Sequence, residues 1–306
     1  MKLTDAEIVL FQRLPGPPEK CAIKKPTIIW IIEWLPSSEQ KRTGLELYEW
    51  LKERQILRPI YHRCTNKVDV LSSIEQATNH VQETGAIPVL HIEAHGDEKG
   101  LKGPGTTGVS EYLFWKELAD PLQKINSRTR CNLLLIIAAC TGFAAITSFF
   151  KGPFAPFAAM VGPASEIAPF SLLHATKELY RRLADKKANL SEMAENASKE
   201  AGTVTFEPES SALLAFESFA QSLIYSQRPE QQKLQIKRIR QLMERETPLS
   251  VDEIDRRIAC MYPCPLALRK QEQQKMWDKM FMIDIFPENR MQFGVDWSVI
   301  IDIIEQ

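Results

Sequence analysis

The chain has few cysteines, almost no net charge and no apolar leader at its start, and each shortage removes a class of protein. Six cysteines in 306 residues are scattered without regular spacing, so free thiols are expected rather than a disulfide framework. Cys260-Met-Tyr-Pro-Cys264 has the form of half a metal site, but no second cysteine or histidine pair follows at zinc spacing. No metal and no cofactor are expected. A formal net charge of -1 gives no field suited to holding nucleic acid or an anionic lipid surface. Met1 to Glu7 contains no positive segment leading into an apolar run, so no secretory signal is read there and a cytoplasmic location is expected. Residues 133–150 carry no charge and approach the ~18 residues of a spanning helix. Cys140-Thr-Gly142 and Thr147-Ser148 interrupt that run, which divides better into a strand, a turn and a short helix. No membrane span is expected.

What the chain does carry is a pair of apolar runs that each end in a chemically useful residue. Leu133-Leu-Leu-Ile-Ile-Ala-Ala-Cys-Thr-Gly142 passes through aliphatic residues into a cysteine, and Thr-Gly then breaks it. This reads as a buried strand closing in a tight turn, with Cys140 at its carboxyl edge. Ile87-Pro-Val-Leu-His-Ile-Glu-Ala-His-Gly96 is a second short apolar strand, ending at His-Gly. As parallel neighbours, the two strands would bring His95 and Cys140 to one edge of a sheet, within reach of a thiolate–imidazole pair.

Around this pair the chain alternates strands and helices. Thr27–Ile32 and Ile60–Cys64 read as strands, and Thr43-Gly-Leu-Glu46 as a capping box opening a helix with Leu47, Trp50 and Leu51 on its apolar stripe. A helix through Val70, Ile74 and Ala77 precedes the His95 strand. Gly100 to Gly108 reads as a flexible loop, followed by a helix carrying Leu113, Phe114, Leu118 and Leu122. After the cysteine come a short helix over Phe143–Phe150, a strand at Phe157–Val161, a helix through Leu173, Leu179, Tyr180 and Leu183, and another near Ser191. The expected fold is α/β, a largely parallel sheet flanked by helices over residues 27–205. Residues 1–26 read as an arm, because Leu14-Pro-Gly-Pro-Pro18 holds no regular structure. Residues 206–306 read as an all-helical C-terminal extension, with a capping box at Ser250-Val-Asp-Glu253 and helix-breaking prolines at 263 and 265. The basic helix at 229–245 is read as a solvated face, with partner docking as its alternative.

A cysteine attacks as its thiolate, and a histidine beside it lowers its pKa and later protonates the leaving amine. Rigid strand ends supply the required reach. Glycine after His95 lets a substrate carbonyl approach the backbone, where amides would stabilise an oxyanion. Other candidates have plainer roles. His91 shares a strand side with His95 and reads as a buried, hydrogen-bonded histidine. Cys131 precedes its strand, and His62 and Cys64 lie mid-strand without a turn to expose them.

His95-Gly96 and Ala139-Cys140-Thr141-Gly142, each ending an apolar strand, resemble the caspase-like cysteine peptidases. The caspase signature Gln-Ala-Cys-x-Gly has its histidine about 50 residues upstream; here the separation is 140 − 95 = 45. Leu113-Phe-Trp-Lys-Glu-Leu118 before the cysteine, Met160-Val-Gly-Pro163 after it and the helix at 175–183 are similar to the bacterial CHAT peptidases. The resemblance spans about residues 27–202. It implies Cys140 as nucleophile, His95 as general base and acid, and the amides of Gly96 and Cys140 as oxyanion hole. It also implies a primary specificity pocket beside Ala138, where caspases have glutamine, and a substrate strand pairing with Pro163-Ala-Ser165-Glu166. Segments 87–101 and 132–170 contain no arginine, only Lys99 and Lys151 as cations. A preference for basic or apolar residues over aspartate is therefore expected. The implied activity is a cytoplasmic cysteine endopeptidase acting on protein substrates in a bacterial, antiviral-defence or death pathway. Its regulatory protein partner would engage the helical C-terminal region, with no direct nucleic acid and no membrane. The alternative is a catalytically inactive caspase-like scaffold.

Overall fold

The computed structural model describes residues 2–17, 25–39, 42–149, 154–185, 189–246, 250–261 and 266–305. Lys151, Pro263, Cys264 and Pro265 lie outside the described residues, and so does the Cys260 side chain.

In chain order the elements begin with α1 Asp5–Gln12, β1 Ile28–Trp34, α2 Thr43–Glu53, β2 Arg58–Arg63, α3 Lys67–Thr84 and β3 Pro88–Asp97. Next come β4 Gly100–Pro104, β5 Ser110–Phe114, α4 Trp115–Arg128, β6 Leu134–Ala138, α5 Ile146–Phe149 and β7 Ala159–Pro163. The rest comprises α6 Pro169–Ala184, α7 Leu190–Ala201, β8 Phe206–Ser210, α8 Ser211–Ser226 and α9 Pro229–Glu246. The last helices are α10 Val251–Met261, α11 Leu266–Met280, α12 Arg290–Phe293 and α13 Trp297–Ile304.

One sheet runs in the order β2-β1-β3-β6-β7-β8, parallel throughout except for β8. This is the expected α/β fold, a mostly parallel sheet flanked by helices. β1 is buried at every position, as helices on both faces require. Ile29, Ile31, Val89, Ile136 and Val161 form one face, packed with Leu47 of α2, Leu173 of α6 and Ala194 of α7. Their neighbours point the other way, where the Trp30 indole donates to Ser73 of α3 at 3.0 Å. Residues 133–149 divide into a strand, a 3-10 turn and a short helix. Among the described residues no helix is long and apolar enough to cross a membrane.

Several local expectations are corrected. The glycine-rich segment is a hairpin: β4 pairs with both β3 and β5, and Leu113 and Phe114 end β5 rather than opening α4. Gly100, Gly103 and Gly105 serve close packing, since a Cβ on Gly103 would stand 2.4 Å from the Trp34 ring, whereas Gly108 turns the chain at a φ of 77°. Thr43 does not cap α2. The Glu33 carboxylate accepts the Gly44 and Leu45 amides instead, at 2.9 and 3.1 Å. Residues 206–210 form a strand antiparallel to β7, so the helical region starts after it. Ser250 does accept the Glu253 amide at 3.3 Å, as its capping role requires.

Two compact units divide the chain: residues 20–212 with 281–292, and residues 1–19 with 213–280 and 293–306. The first residues are thus part of the helical unit. Thr4 and Glu7 close a capping box on α1, and Arg228 donates to Glu7 at 2.8 Å. That guanidinium holds the Glu7 carboxyl down to about 2. Trp277 and Trp297 meet edge to face at 5.5 Å in the core of this unit.

Candidate active site

β3 and β6 run parallel, and their last ladder pair is Glu93 with Ala138. Two residues beyond each lie His95 and Cys140, at the carboxyl edge where open α/β sheets place their sites. Alternation along β3 sets His91, Glu93 and His95 on one side. Cys140 packs against the core on that same α2–α6–α7 side. The backbones touch directly: a Cβ on Gly96 would lie 2.7 Å from the Cys140 carbonyl oxygen. Gly96 is therefore required for the approach of β3 to the cysteine turn, beyond any role toward a substrate.

The turn after the cysteine is strained and held. Thr141 adopts a left-handed φ of 52°, an outlier for a β-branched residue. Its hydroxyl donates to the Cys140 carbonyl at 2.7 Å and its amide to the Ser165 carbonyl at 3.1 Å. Gly142 lets the chain turn beneath, because a Cβ there would meet the Ile137 carbonyl at 2.7 Å. On the histidine side, β3 continues past His95 to Asp97, whose carboxylate accepts the Lys99 and Gly100 amides at 2.8 and 3.3 Å and closes the hairpin.

His95 is 49% exposed, and its Nε2 contacts the carboxylate of Glu39. Glu39 follows β1, so three adjacent strands, β1, β3 and β6, deliver carboxylate, imidazole and thiol to one edge. Sequence reading missed Glu39. Its signal was an acidic residue a few positions past the end of the first apolar strand. Cys140 is half-buried, and its Sγ donates to the Ile167 carbonyl at 3.7 Å. Among the described residues no hydrogen bond joins Cys140 to His95.

The remaining expected site residues fall as follows. Ala138 is fully buried in the core of this face. Pro163 is buried at the end of β7, opposite Phe206. Ser165 and Glu166 are exposed beside the cysteine turn. Within that segment the Ala164 amide donates to Thr205 at 2.9 Å, and the Ser165 carbonyl accepts from Thr141. An arginine reaches this end of the sheet from outside the segments searched: Arg42 binds the buried Glu33 through Nε and Nη2 at 3.1 and 2.9 Å. Glu33 holds that guanidinium pKa up against the opposing effect of partial burial.

His91 and Cys131 behave as read, whereas Cys64 lies one residue past the end of β2 rather than within it. His91 is buried, with its Nδ1 3.0 Å from the Tyr180 hydroxyl and its Nε2 3.4 Å from Glu93. Burial pushes the Cys131 thiol up to about 12. Burial, with Asp69, pushes Cys64 up to about 12 as well. His62 stacks on Trp30 at 4.6 Å, and burial lowers its pKa.

No protein-family model matches the chain, and no curated protein is similar to it in sequence. Among solved structures it is similar to the complex of Porphyromonas gingivalis RgpB pro- and mature domains. That likeness has a TM-score of 0.33 and 15% identity, over 68% of this chain and 52% of the other. The chain thus spans about half the length of the structure it matches.

Proposed function

We propose that this protein is a caspase-like cysteine endopeptidase with Cys140 as nucleophile and His95 as general base and acid. The observation that carries the reading is the β3–β6 register, which sets both residues two positions past the same ladder pair on one sheet face. The strained Thr141 immediately after the cysteine supports it, since such outliers cluster at reactive sites.

In the reaction, His95 takes the thiol proton and the Cys140 thiolate adds to the scissile carbonyl carbon, forming a C–S bond. The carbonyl oxygen becomes an oxyanion facing the Gly96 and Cys140 amides. Collapse breaks the C–N bond, and His95 gives its proton to the departing amine. Water, deprotonated by His95, then attacks the thioester, releasing the acid and restoring the thiol. Glu39 orients the imidazole through Nε2, leaving Nδ1 to face the sulfur. The substrate lies along Ser165 and Glu166, the exposed pair of the four expected binding residues, while Ala138 and Pro163 back them from the core. A place among CHAT peptidases, control by a partner on the helical region and a role in bacterial defence follow from the motif resemblance, and a cytoplasmic location from the scattered cysteines and the lack of a secretory signal in residues 1–7.

One observation favours a second reading, an inactive scaffold: the thiol is hydrogen-bonded to Ile167 and not to His95. Alkylation by an electrophilic peptide ketone, mapped by mass spectrometry, separates the two. An active site predicts Cys140 labelling at least about tenfold faster than a free thiol, and loss of that excess in His95→Ala. Equal rates would leave the scaffold.

A further inference from the structure

Two carboxylates are buried beside the site, and the reaction as written uses neither. Glu33 is 1% exposed and Glu93 is 3% exposed. They are direct neighbours in the β1–β3 ladder and lie on the same face as Cys140. Buried carboxylates are costly unless paired and hydrogen-bonded, and the start of α2 grips both of these. Glu33 accepts the Gly44 and Leu45 amides, both guanidinium bonds of Arg42, and the Tyr61 hydroxyl at 2.6 Å. Glu93 accepts the Thr43 hydroxyl. Its other oxygen lies 3.4 Å from His91 Nε2, whose Nδ1 lies 3.0 Å from the Tyr180 hydroxyl, at the end of a buried polar chain. Gly44 sits between the two acids, since a Cβ there would lie 3.0 Å from Glu33 and 3.1 Å from Glu93. Glu39, which meets His95, stands only three residues before Arg42 in the chain.

We propose that Glu33 and Glu93 are positioning residues. By clamping Arg42, Thr43 and the first turn of α2 they anchor the chain three residues after Glu39, and through Glu39 they set the His95 ring. This rests on His95 being the base of the proposed reaction. An apolar pair would pack the same space without aiming anything, whereas fixed hydrogen bonds define one position for Arg42 and the start of α2.

The test uses Thr43→Val, which releases the grip on Glu93 with little change of shape, and Thr43→Ser, which restores the hydroxyl. Peptide turnover and the NMR resonances of the His95 ring are measured in the full chain. Thr43→Val should lower kcat about 10- to 100-fold with KM within about threefold, because small misplacements act on the chemical step. Thr43→Ser should recover most of the loss. Thr43→Val/Glu39→Gln should be no slower than Glu39→Gln alone, and the His95 resonances of Thr43→Val should move toward those of Glu39→Gln. Thr176→Val, which removes a buried hydroxyl of α6, should move neither. Glu33→Gln repeats the test from the other carboxylate if Thr43→Val does not fold. Unmoved His95 resonances with losses additive to Glu39→Gln would overturn the proposal. Absence of turnover in the wild type, with Cys140 labelling like a free thiol, would overturn the peptidase reading. The resonances would still decide whether the clamp holds His95.

Discussion

The two faces of the central sheet are equally buried but built from different materials. Trp30, Ile32, Leu90, Ile92 and Ile137 point away from α2, and the one indole among them is satisfied by Ser73. The opposite face holds Ile29, Ile31, Val89 and Ile136 for most of its length, then turns polar at the carboxyl edge with Glu33, His91 and Glu93. Burial pushes Tyr180 on that side well above its ordinary value, and Glu93 pushes it further. The first face is closed by apolar contact and neutral hydrogen bonds from its indoles, so the carboxylates at the end of the second are not needed to cover the sheet. Buried charge appears where the strands carry His95 and Cys140.

The largest effect should come from crossing between these faces. Cys140→Ala or His95→Ala should reduce turnover by about a thousandfold or more while leaving the unfolding midpoint nearly unchanged. Ile92→Ala, on the apolar face, should do the reverse, costing about 2–5 kcal/mol of stability with kcat retained in the folded fraction. A large fall in kcat for Ile92→Ala would break the comparison.

The two ends of β6 provide the next contrast. With its thiol pushed up to about 12 by burial, Cys131 has a thiolate fraction of roughly one in ten thousand at pH 8. Iodoacetamide should therefore modify Cys140 long before Cys131, and mapped peptides showing equal rates would contradict the burial. Glu39→Gln, which keeps the shape at Glu39 and removes its charge, should lower kcat by about 10- to 100-fold. Steady-state kinetics on a peptide substrate check it.

Smaller effects concern stability. Glu33→Ala strips partners from Arg42, Tyr61 and two amides, and should cost about 2–3 kcal/mol, less than for a fully buried pair because Arg42 is partly solvated. Urea unfolding measures it, and no change would show that the clamp is slack. The thiols of Cys64 and Cys131 are raised from 9.0 to about 12 in the folded chain. Their contribution to stability is complete below about pH 9 and is lost as pH rises through 12, because the unfolded chain releases those protons first. The urea midpoint should therefore fall between pH 9 and pH 11, and fall less in Cys131→Ala.

Much of this was legible in the chain itself. The continuous apolar runs at 28–32 and 133–137 identify strands buried on both faces, and the polar residues that end such runs lie at a strand edge wherever the sheet goes. His95 and Cys140 were found that way. The hairpin was misread because glycine signals both flexibility and close approach. Only the ring of Trp34, nearly 70 residues upstream, shows that Gly103 is there for the second reason. The cap of α2 was misread because Thr43 and Glu46 satisfy the local pattern, while Glu33 competes for the same amides from a neighbouring strand.

Hydrophobic periodicity and turn chemistry are local, so the sequence by itself determined the alternation of strands and helices, the parallel sheet and the residues at its strand ends. Strand order, register and the partners of buried polar groups depend on which segments meet, and the tertiary structure alone decided those. It placed β8 antiparallel on β7, joined α1 to the C-terminal helices and set Glu39 on His95. It also brought Glu33, from a strand 60 residues before Glu93, beside it under the start of α2. A carboxylate's hydrogen-bonding partners are settled by a register that no window of sequence around it contains.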